Sequence, residues 1–281
     1  LGDRIEVLSA AIAAAYMNIP IAHIHGGDVS GSIDDSTRHA ISKYSHLHFP
    51  ATSSSANRLL RMGEENWRVN VVGTPALDTI LNAHLHARNE LEAMIGVDFD
   101  EYVILVIQHS VSSESDEAEI QITETMEAIR SLGYQTIVIY PNSDAGSRQL
   151  INVIESYRNV PFITIYKTLD QISYLSLMKY CSVMVGNSSS GIVEAPSFGL
   201  PAVNIGTRQD GRERGGNIID VTHNQHAIEQ AITKALSDRQ FIEKMKSSSN
   251  PYGGGHSGHQ IAEILSNIAF DKKLLTKRIT Y

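Results

Sequence analysis

The sequence predicts an α/β protein built from two Rossmann-like domains facing a cleft. Three observations predict it. Short apolar runs suited to parallel strands alternate with helical stretches along nearly the whole chain. The alternation is interrupted once, by the polar, weakly patterned stretch from Ala83 to Glu90, which places a domain boundary near Ala87. Polar residues also cluster just after the strands, at His25 to Asp28, His109 to Ser113, Asn142 to Ser147, Asn187 to Ser190 and Thr207 to Arg214. Open α/β sheets bind ligands beyond the carboxyl ends of their strands, so two such domains would line a cleft with these loops.

In the first domain, residues 1–86, Leu1-Gly2-Asp3-Arg4 reads as a strand tip running into a loop, so a preceding segment is expected. Ile5, Leu8, Ala11, Ile12 and Ala15 recur at helical spacing and predict a helix to Met17. Pro20 ends it. Ile21 to Ile24 is a strand, turned sharply by Gly26-Gly27. Asp34 or Asp35 starts the next helix, His46 to Phe49 is a strand, Ser53 to Met62 a helix, and Arg68 to Val72 a strand closed by Gly73-Thr74-Pro75.

The second domain, residues 87–255, repeats the alternation. Its strands are Val103 to Ile107, Gln135 to Tyr140, Phe162 to Ile165, Ser182 to Val185 and Ala202 to Asn204. Helices are expected at Asp116 to Ser131, Ala145 to Tyr157, Asp170 to Tyr180, Ile192 to Phe198, Gln225 to Leu236 and Asp238 to Ser247. Asn250-Pro251-Tyr252-Gly253-Gly254-Gly255 breaks the pattern, and a last helix follows within residues 256–281.

Composition narrows the function. The net charge of −8 argues against nucleic acid as the main partner. No apolar stretch approaches the ~20 residues of a membrane span. Cys181 is the only cysteine, so an internal disulfide is impossible and a reducing, cytoplasmic location is expected. No phosphate-binding P-loop, dinucleotide fingerprint or serine-hydrolase elbow is present.

Several strand-end stretches carry candidate chemistry. Val183 to Val185 runs into Gly186-Asn187-Ser188-Ser189-Ser190-Gly191 and a helix start. Free N–H groups and the helix dipole make such a turn an anion site, Gly191 lets a ligand approach the backbone, and Glu194 can accept from a sugar diol. A serine that merely caps the helix is the plainer alternative. Gly206 to Arg214 holds three arginines in seven residues, suited to forking onto phosphate oxygens. His23 and His25 share a strand face, as do His46 and His48. A metal site is disfavoured for want of matching carboxylates or thiols, and His23, His46 and His48 are read as core histidines bonded to backbone. His25, at a strand end, can act as or orient an acid or base. Asp34 reads as a helix cap. Asp35 can point into the cleft, with Arg38 one turn on to orient it. His109 can reach a phosphate or a reacting sugar.

Taken in order, His23-Ile24-His25-Gly26-Gly27-Asp28, Asp34-Asp35-Ser36-Thr37-Arg38-His39, His46-Leu47-His48-Phe49, Pro141-Asn142-Ser143-Asp144, Gly186-Asn187-Ser188-Ser189-Ser190-Gly191, Gly206-Thr207-Arg208-Gln209-Asp210-Gly211-Arg212 and Asn250-Pro251-Tyr252-Gly253 resemble the hydrolysing UDP-N-acetylglucosamine 2-epimerases. The resemblance spans the chain. It implies a glycosyltransferase-B fold, with residues 1–86 carrying catalytic loops, residues 87–255 holding UDP, and the final helix packing back on the first domain. It also implies a first strand and turn before Leu1.

The implied reaction removes the C2 proton while UDP leaves C1, giving a 2-acetamidoglucal. Water then adds at C1 with reprotonation of C2 from the other face. By resemblance, Asp3, His25 and Asp35 share the proton transfers, and His109 and Arg4 stabilise the departing diphosphate. Ser188, Ser189, Ser190, Gly191 and Arg208 match the UDP-contacting motif, Glu194 the ribose-binding carboxylate, and Asn142 a further substrate contact. Which group is acid and which is base stays open. A glutamate stands at the position of His25 in the non-hydrolysing relatives, which favours the hydrolysing branch. No metal or redox cofactor is required by this mechanism, and a homo-oligomer, dimer or tetramer, is implied. Three rival readings stand beside it: the same reaction on UDP-2,4-diacetamido-2,4,6-trideoxyglucose, a glycosyltransferase of the same fold, and an inactive UDP-binding fragment.

Overall fold

The computed structural model describes residues 5–30 and 34–280; Asp3 and Arg4 lie outside them. The chain forms two compact units. The first runs to Asn82 and takes in Asp210–Glu213 and the chain from Asn250, while the second comprises Ala83–Gln209 and Arg214–Ser249.

The first unit holds two parallel strands, β1 (Ala22–Ile24) and β2 (Leu47–Phe49), in the register His23 opposite His48. Around them lie the helices Ile5–Tyr16, Asp34–Tyr44, Ser53–Arg61, Pro75–Asn82 and Ser257–Asn267. The strand expected at Arg68 to Val72 is not a full ladder. Asn66–Arg68 is a 3-10 turn, and beyond it the chain lies extended along β2 with one bridge, His48 to Val69. Pro50 accounts for this: its carbonyl takes the Val72 N–H, but it has no N–H to return.

Leu47, Phe49 and Val72 form a core with Ile261 and Leu274 from the C-terminal segment. Two cations, the buried Arg68 and the partly buried Lys277, fasten that segment. Arg68 donates to the carbonyls of Lys273, Leu274 and Thr276. Lys277 donates to the carbonyls of Ser42, Lys43 and Ser45 at the end of the Asp34–Tyr44 helix, and pairs with Glu64 at 2.6 Å. Asp78 caps the Ser257–Asn267 helix by accepting from the backbone N–H groups of His256, Ser257 and Gly258.

The second unit is a six-stranded, wholly parallel sheet. Its strands are β3 (Val103–Ile107), β4 (Gln135–Ile139), β5 (Ile163–Tyr166), β6 (Val183–Gly186), β7 (Ala202–Ile205) and β8 (Ile218–Val221), in the spatial order β5-β4-β3-β6-β7-β8. Every residue of β3 is buried, because helices cover both faces; hence its unbroken apolar run. The Ala118–Leu132 helix buries Ala118, Ile122, Met126 and Ile129 at spacings of three and four, and Gly133 ends it in the left-handed region. Within this unit the order is 3-2-1-4-5-6, the doubly wound arrangement, whose winding reverses between β3 and β6.

Two further differences from the sequence expectation have simple causes. The helix expected from Ile192 to Phe198 is two short helices, Ser190–Val193 and Ala195–Phe198. Pro196 cannot donate to the carbonyl of Ile192, so the turn breaks at Glu194. Strand β8 was not expected, since its polar Asp220 and the preceding Arg/Gly-rich loop mask a short edge strand. Among the described residues, no helix is long and apolar enough to cross a membrane.

Candidate active site

In the second unit the candidate residues gather where the winding reverses. Strand β6 ends at Gly186, whose φ is +130° and whose added Cβ would lie 2.0 Å from the Ile107 carbonyl oxygen on β3. Only glycine fits so close a crossing. The next residue, Asn187, is buried, and its side chain spans to the loop after β3. Its Oδ1 accepts the His109 N–H at 2.7 Å, and its Nδ2 donates to the His109 carbonyl at 2.8 Å. The Asn187 carbonyl accepts from Arg208 at 3.2 Å and Gln209 at 2.8 Å, which lie after β7. One asparagine thus ties three strand-end loops together.

The loop after β4 joins through His109. Its Nδ1 accepts the Asn142 N–H at 3.0 Å, which assigns the proton of the neutral ring to Nε2. Burial lowers the His109 pKa, the Arg208 charge lowers it further and Asp144 opposes them, leaving it at about 4. His109 is therefore a neutral donor at pH 7, able to hydrogen-bond an anion without carrying charge. The Asn142 side chain is turned to Asp144 at 2.5 Å. Ser188 Oγ accepts the Ser190 N–H at 3.4 Å, and the Tyr174 hydroxyl hydrogen-bonds with Ser190 and Ser188. Ser189 opens the short helix without a side-chain cap. Gly191 is explained by packing: an added Cβ would lie 3.2 Å from the Ala202 Cβ. Glu194 is partly buried at the break between the two short helices, where its charge acts on Tyr174.

In the first unit His25 and Asp35 are linked through Asp28 and Arg38. His25 sits just after β1 with φ +64°, in the left-handed region that a non-glycine residue occupies only at a cost. Its N–H donates to the Phe49 carbonyl at 3.0 Å, and its Nε2 lies 2.7 Å from Thr74 Oγ1. Burial lowers its pKa; Asp28 opposes that, while Arg212 and Arg38 reinforce it. Arg212 lies 3.8 Å from Asp28. Asp35 accepts from the Ser30 N–H at 2.8 Å, from Ser30 Oγ at 3.0 Å and from Arg38 at 2.5 Å. The buried Arg38 also donates to the Asp28 carbonyl at 3.0 Å, so the orienting contact expected from one turn away is present. Asp34 begins the helix; its side chain lies outside the described residues.

The remaining histidines are partly as expected. The His46 ring accepts a backbone N–H, that of Ile21. His23 and His48 instead bond side chains, Ser42 at 3.1 Å and Glu64 at 2.9 Å. Among the described residues, no group of three or more His, Cys, Asp or Glu is arranged to hold a metal ion.

Residues 1–266 match the family model for UDP-N-acetylglucosamine 2-epimerase. The chain belongs to that family. The chain is 41% identical over 281 residues, all of it and 73% of the relative, to the UDP-N,N'-diacetylbacillosamine 2-epimerase (hydrolyzing) of Legionella pneumophila. It is 34% identical over 269 residues, 95% of the chain and 70% of the relative, to the UDP-N-acetylglucosamine 2-epimerase of Neisseria meningitidis serogroup B. Its fold matches the crystal structure of a Neisseria meningitidis UDP-GlcNAc 2-epimerase bound to UDP-GlcNAc, with a TM-score of 0.81 and 21% identity over 95% of this chain and 75% of that one. The fold is thus the two-domain glycosyltransferase-B type.

In this epimerase chain several positions of the candidate site escaped the sequence reading as individual residues. Asn187, Asp28 and Gln209 lie inside the sequence motifs without a role of their own, and Arg212, one of the three arginines read as suited to phosphate, lies 3.8 Å from Asp28. Asn187 carried a usable signal, an amide directly after a fully apolar strand, where a buried side chain must find backbone partners. Thr74 and Tyr174 carried none, because their partners lie far away in sequence.

Proposed function

We propose that this chain is a hydrolysing 2-epimerase of UDP-2-acetamido sugars, converting UDP-N-acetylglucosamine to N-acetylmannosamine and UDP. The observation that carries the reading is the tie made by Asn187, which holds His109, the serine turn and Arg208 at the winding reversal of the second unit. A diphosphate there would meet a neutral imidazole donor, a guanidinium and hydroxyls. Ser188, Ser189, Ser190 and Gly191 would contact UDP, Glu194 the ribose, and Asn142 the substrate.

The first unit would supply the proton transfers. The C2 proton is weakly acidic, so its removal and the departure of UDP must be assisted together. Asp35, held by Ser30 and Arg38, is a carboxylate suited to move a proton, and His25 stands in the same cluster. Elimination gives a 2-acetamidoglucal and UDP; water adding at C1, with a proton delivered to C2 on the opposite face, completes the release. Asp3 and Arg4 are proposed to join the proton transfers and the diphosphate, respectively. A homo-oligomer and a cytoplasmic location belong to the same proposal; light scattering of the purified protein tests the former.

One observation keeps a second substrate in view. The relative from Legionella pneumophila, matched along the entire chain, is named for UDP-N,N'-diacetylbacillosamine. The test is chromatography of each UDP-sugar after incubation with the protein. Release of UDP together with a free manno-configured sugar supports the reading and identifies the substrate by rate. A UDP-sugar epimerised without UDP release, or no change in either sugar, overturns it.

A further inference from the structure

We propose that Thr74 is a positioning residue that fixes neutral His25 in its Nδ1–H tautomer, so that the ring faces the reacting sugar as a hydrogen-bond donor and not as a base. The inference rests on the placement of His25 at the reacting sugar in the preceding reading.

It follows from counting donors and acceptors around one buried hydroxyl. Thr74 is 1% exposed. Its Oγ1 accepts the Ala76 N–H at 3.3 Å, which occupies one lone pair. Among the described residues the one acceptor within reach of its hydroxyl proton is His25 Nε2, at 2.7 Å. A buried hydroxyl proton left without an acceptor bears the full penalty of its desolvation. Thr74 therefore donates, and Nε2 accepts. A neutral imidazole carries one proton, so it sits on Nδ1, which has no hydrogen-bond partner among the described residues. Burial, with Arg212 and Arg38, keeps the ring neutral against the pull of Asp28.

The hydroxyl is itself held by several constraints. Gly73, with φ +78°, approaches Tyr252 so closely that an added Cβ would lie 2.9 Å from its carbonyl. The Thr74 N–H donates to that same carbonyl at 2.9 Å, and Pro75 restricts the Thr74 backbone to the extended region. Tyr252 is fully buried, and its hydroxyl donates to the Glu213 carbonyl at 3.1 Å. The Asn250-Pro251-Tyr252-Gly253 stretch thus buttresses Thr74, and Thr74 sets His25. The consequence for chemistry is a division of labour: with Nε2 engaged and Nδ1 protonated, neutral His25 has no free lone pair to take the C2 proton.

The test is nitrogen NMR of the protein labelled with 15N-histidine, the His25 signals being assigned by their loss in His25→Gln. The wild type and Thr74→Ser are expected to show a protonated Nδ1 and an unprotonated Nε2, and Thr74→Val a shift toward the Nε2–H form. In turnover of UDP-N-acetylglucosamine, Thr74→Val should lose roughly ten- to a hundredfold in kcat, the range seen when the outer-shell partners that orient metal-ligating histidines are removed. KM should stay within about twofold, and Thr74→Ser should recover most of the rate. An Nε2–H ring in the wild type, or an unchanged tautomer in Thr74→Val, overturns the proposal. Should Thr74→Val not fold, the wild-type spectrum alone decides. An Nδ1–H spectrum from a protein that turns over no UDP-2-acetamido sugar would overturn the functional reading while the tautomer stands.

Discussion

Lys277→Met should unfasten the C-terminal segment and lower the stability of the first unit by about 3 kcal/mol. The side chain of Glu64 is fully buried; it bonds His48 at 2.9 Å, Lys277 at 2.6 Å and the half-exposed Lys43 at 3.0 Å. Burial alone would raise the Glu64 pKa, but the bonds from His48 and Lys277 overcome it and hold the carboxyl at about 2 instead of 4.5. His48 and Lys277 share that shift, and burial lowers the Lys277 pKa in turn, so the worth of the Lys277 bond is set by what its loss leaves behind. Removing one partner of a buried pair costs about 3–5 kcal/mol in comparable cases, because the other charge is left uncompensated. Lys277→Met also removes the ammonium donor from three carbonyls at the end of the Asp34–Tyr44 helix, of which that of Ser42 keeps the Ser45 N–H. The assay is urea unfolding followed by tryptophan fluorescence. Trp67 is the single tryptophan, and its ring lies beneath Arg68 at 4.2 Å and Lys273 at 4.7 Å, in the corner the substitution disturbs. The sign with pH is fixed. A carboxyl whose folded pKa is depressed stabilises the fold above pH 4.5 and ceases to do so as the pH falls to about 2. The gap between wild type and variant should therefore be full at pH 7 and narrow below pH 4.5. A gap under about 0.5 kcal/mol at pH 7, the scale of an exposed ion pair, would refute the reasoning.

Three further outcomes follow from the second unit. Asn187→Ala leaves the His109 N–H and carbonyl without their partners, so thermal unfolding should register a loss of about 2–4 kcal/mol. Calorimetric UDP binding should weaken roughly tenfold or more, about 1.4 kcal/mol. Gly186→Ala forces a Cβ to 2.0 Å from the Ile107 carbonyl oxygen; a destabilisation above about 4 kcal/mol is expected, read as lost soluble yield. His109, with a folded pKa of about 4 against 6.5 in an unfolded chain, should show an NMR titration midpoint near 4. The unfolded state takes up that proton first, so stability falls as the pH drops from 6.5 to 4, and His109→Gln should lack this component.

The sequence was most legible where burial leaves no choice. Val103 to Ile107 reads as a central strand because both faces are covered, and the 3-4 spacing of Ile122, Met126 and Ile129 reads as a helix packed on one side. Legibility failed at edges and breaks. Pro75, which in the sequence closes an expected strand, begins the Pro75–Asn82 helix, where a missing N–H costs nothing. Pro196 sits inside an apolar run and splits a helix that periodicity alone would continue. At the site, motifs located the loops but not their couplings. The bonds from Asn187 to His109 join residues 78 apart in sequence, and that from Thr74 to His25 joins residues 49 apart. No local pattern encodes such pairs; they exist only once β3 lies beside β6, and once Gly73 is seated against Tyr252.

The most direct test of hydrolysing 2-epimerisation is proton NMR of UDP-N-acetylglucosamine incubated with the protein in deuterated water, with UDP-N,N'-diacetylbacillosamine run in parallel. The expected result is UDP together with a free manno-configured sugar carrying deuterium at C2, because C2 loses its proton in the elimination and regains one from solvent. Free sugar that keeps its C2 proton, or deuterium appearing in UDP-sugar that is never cleaved, would contradict the account.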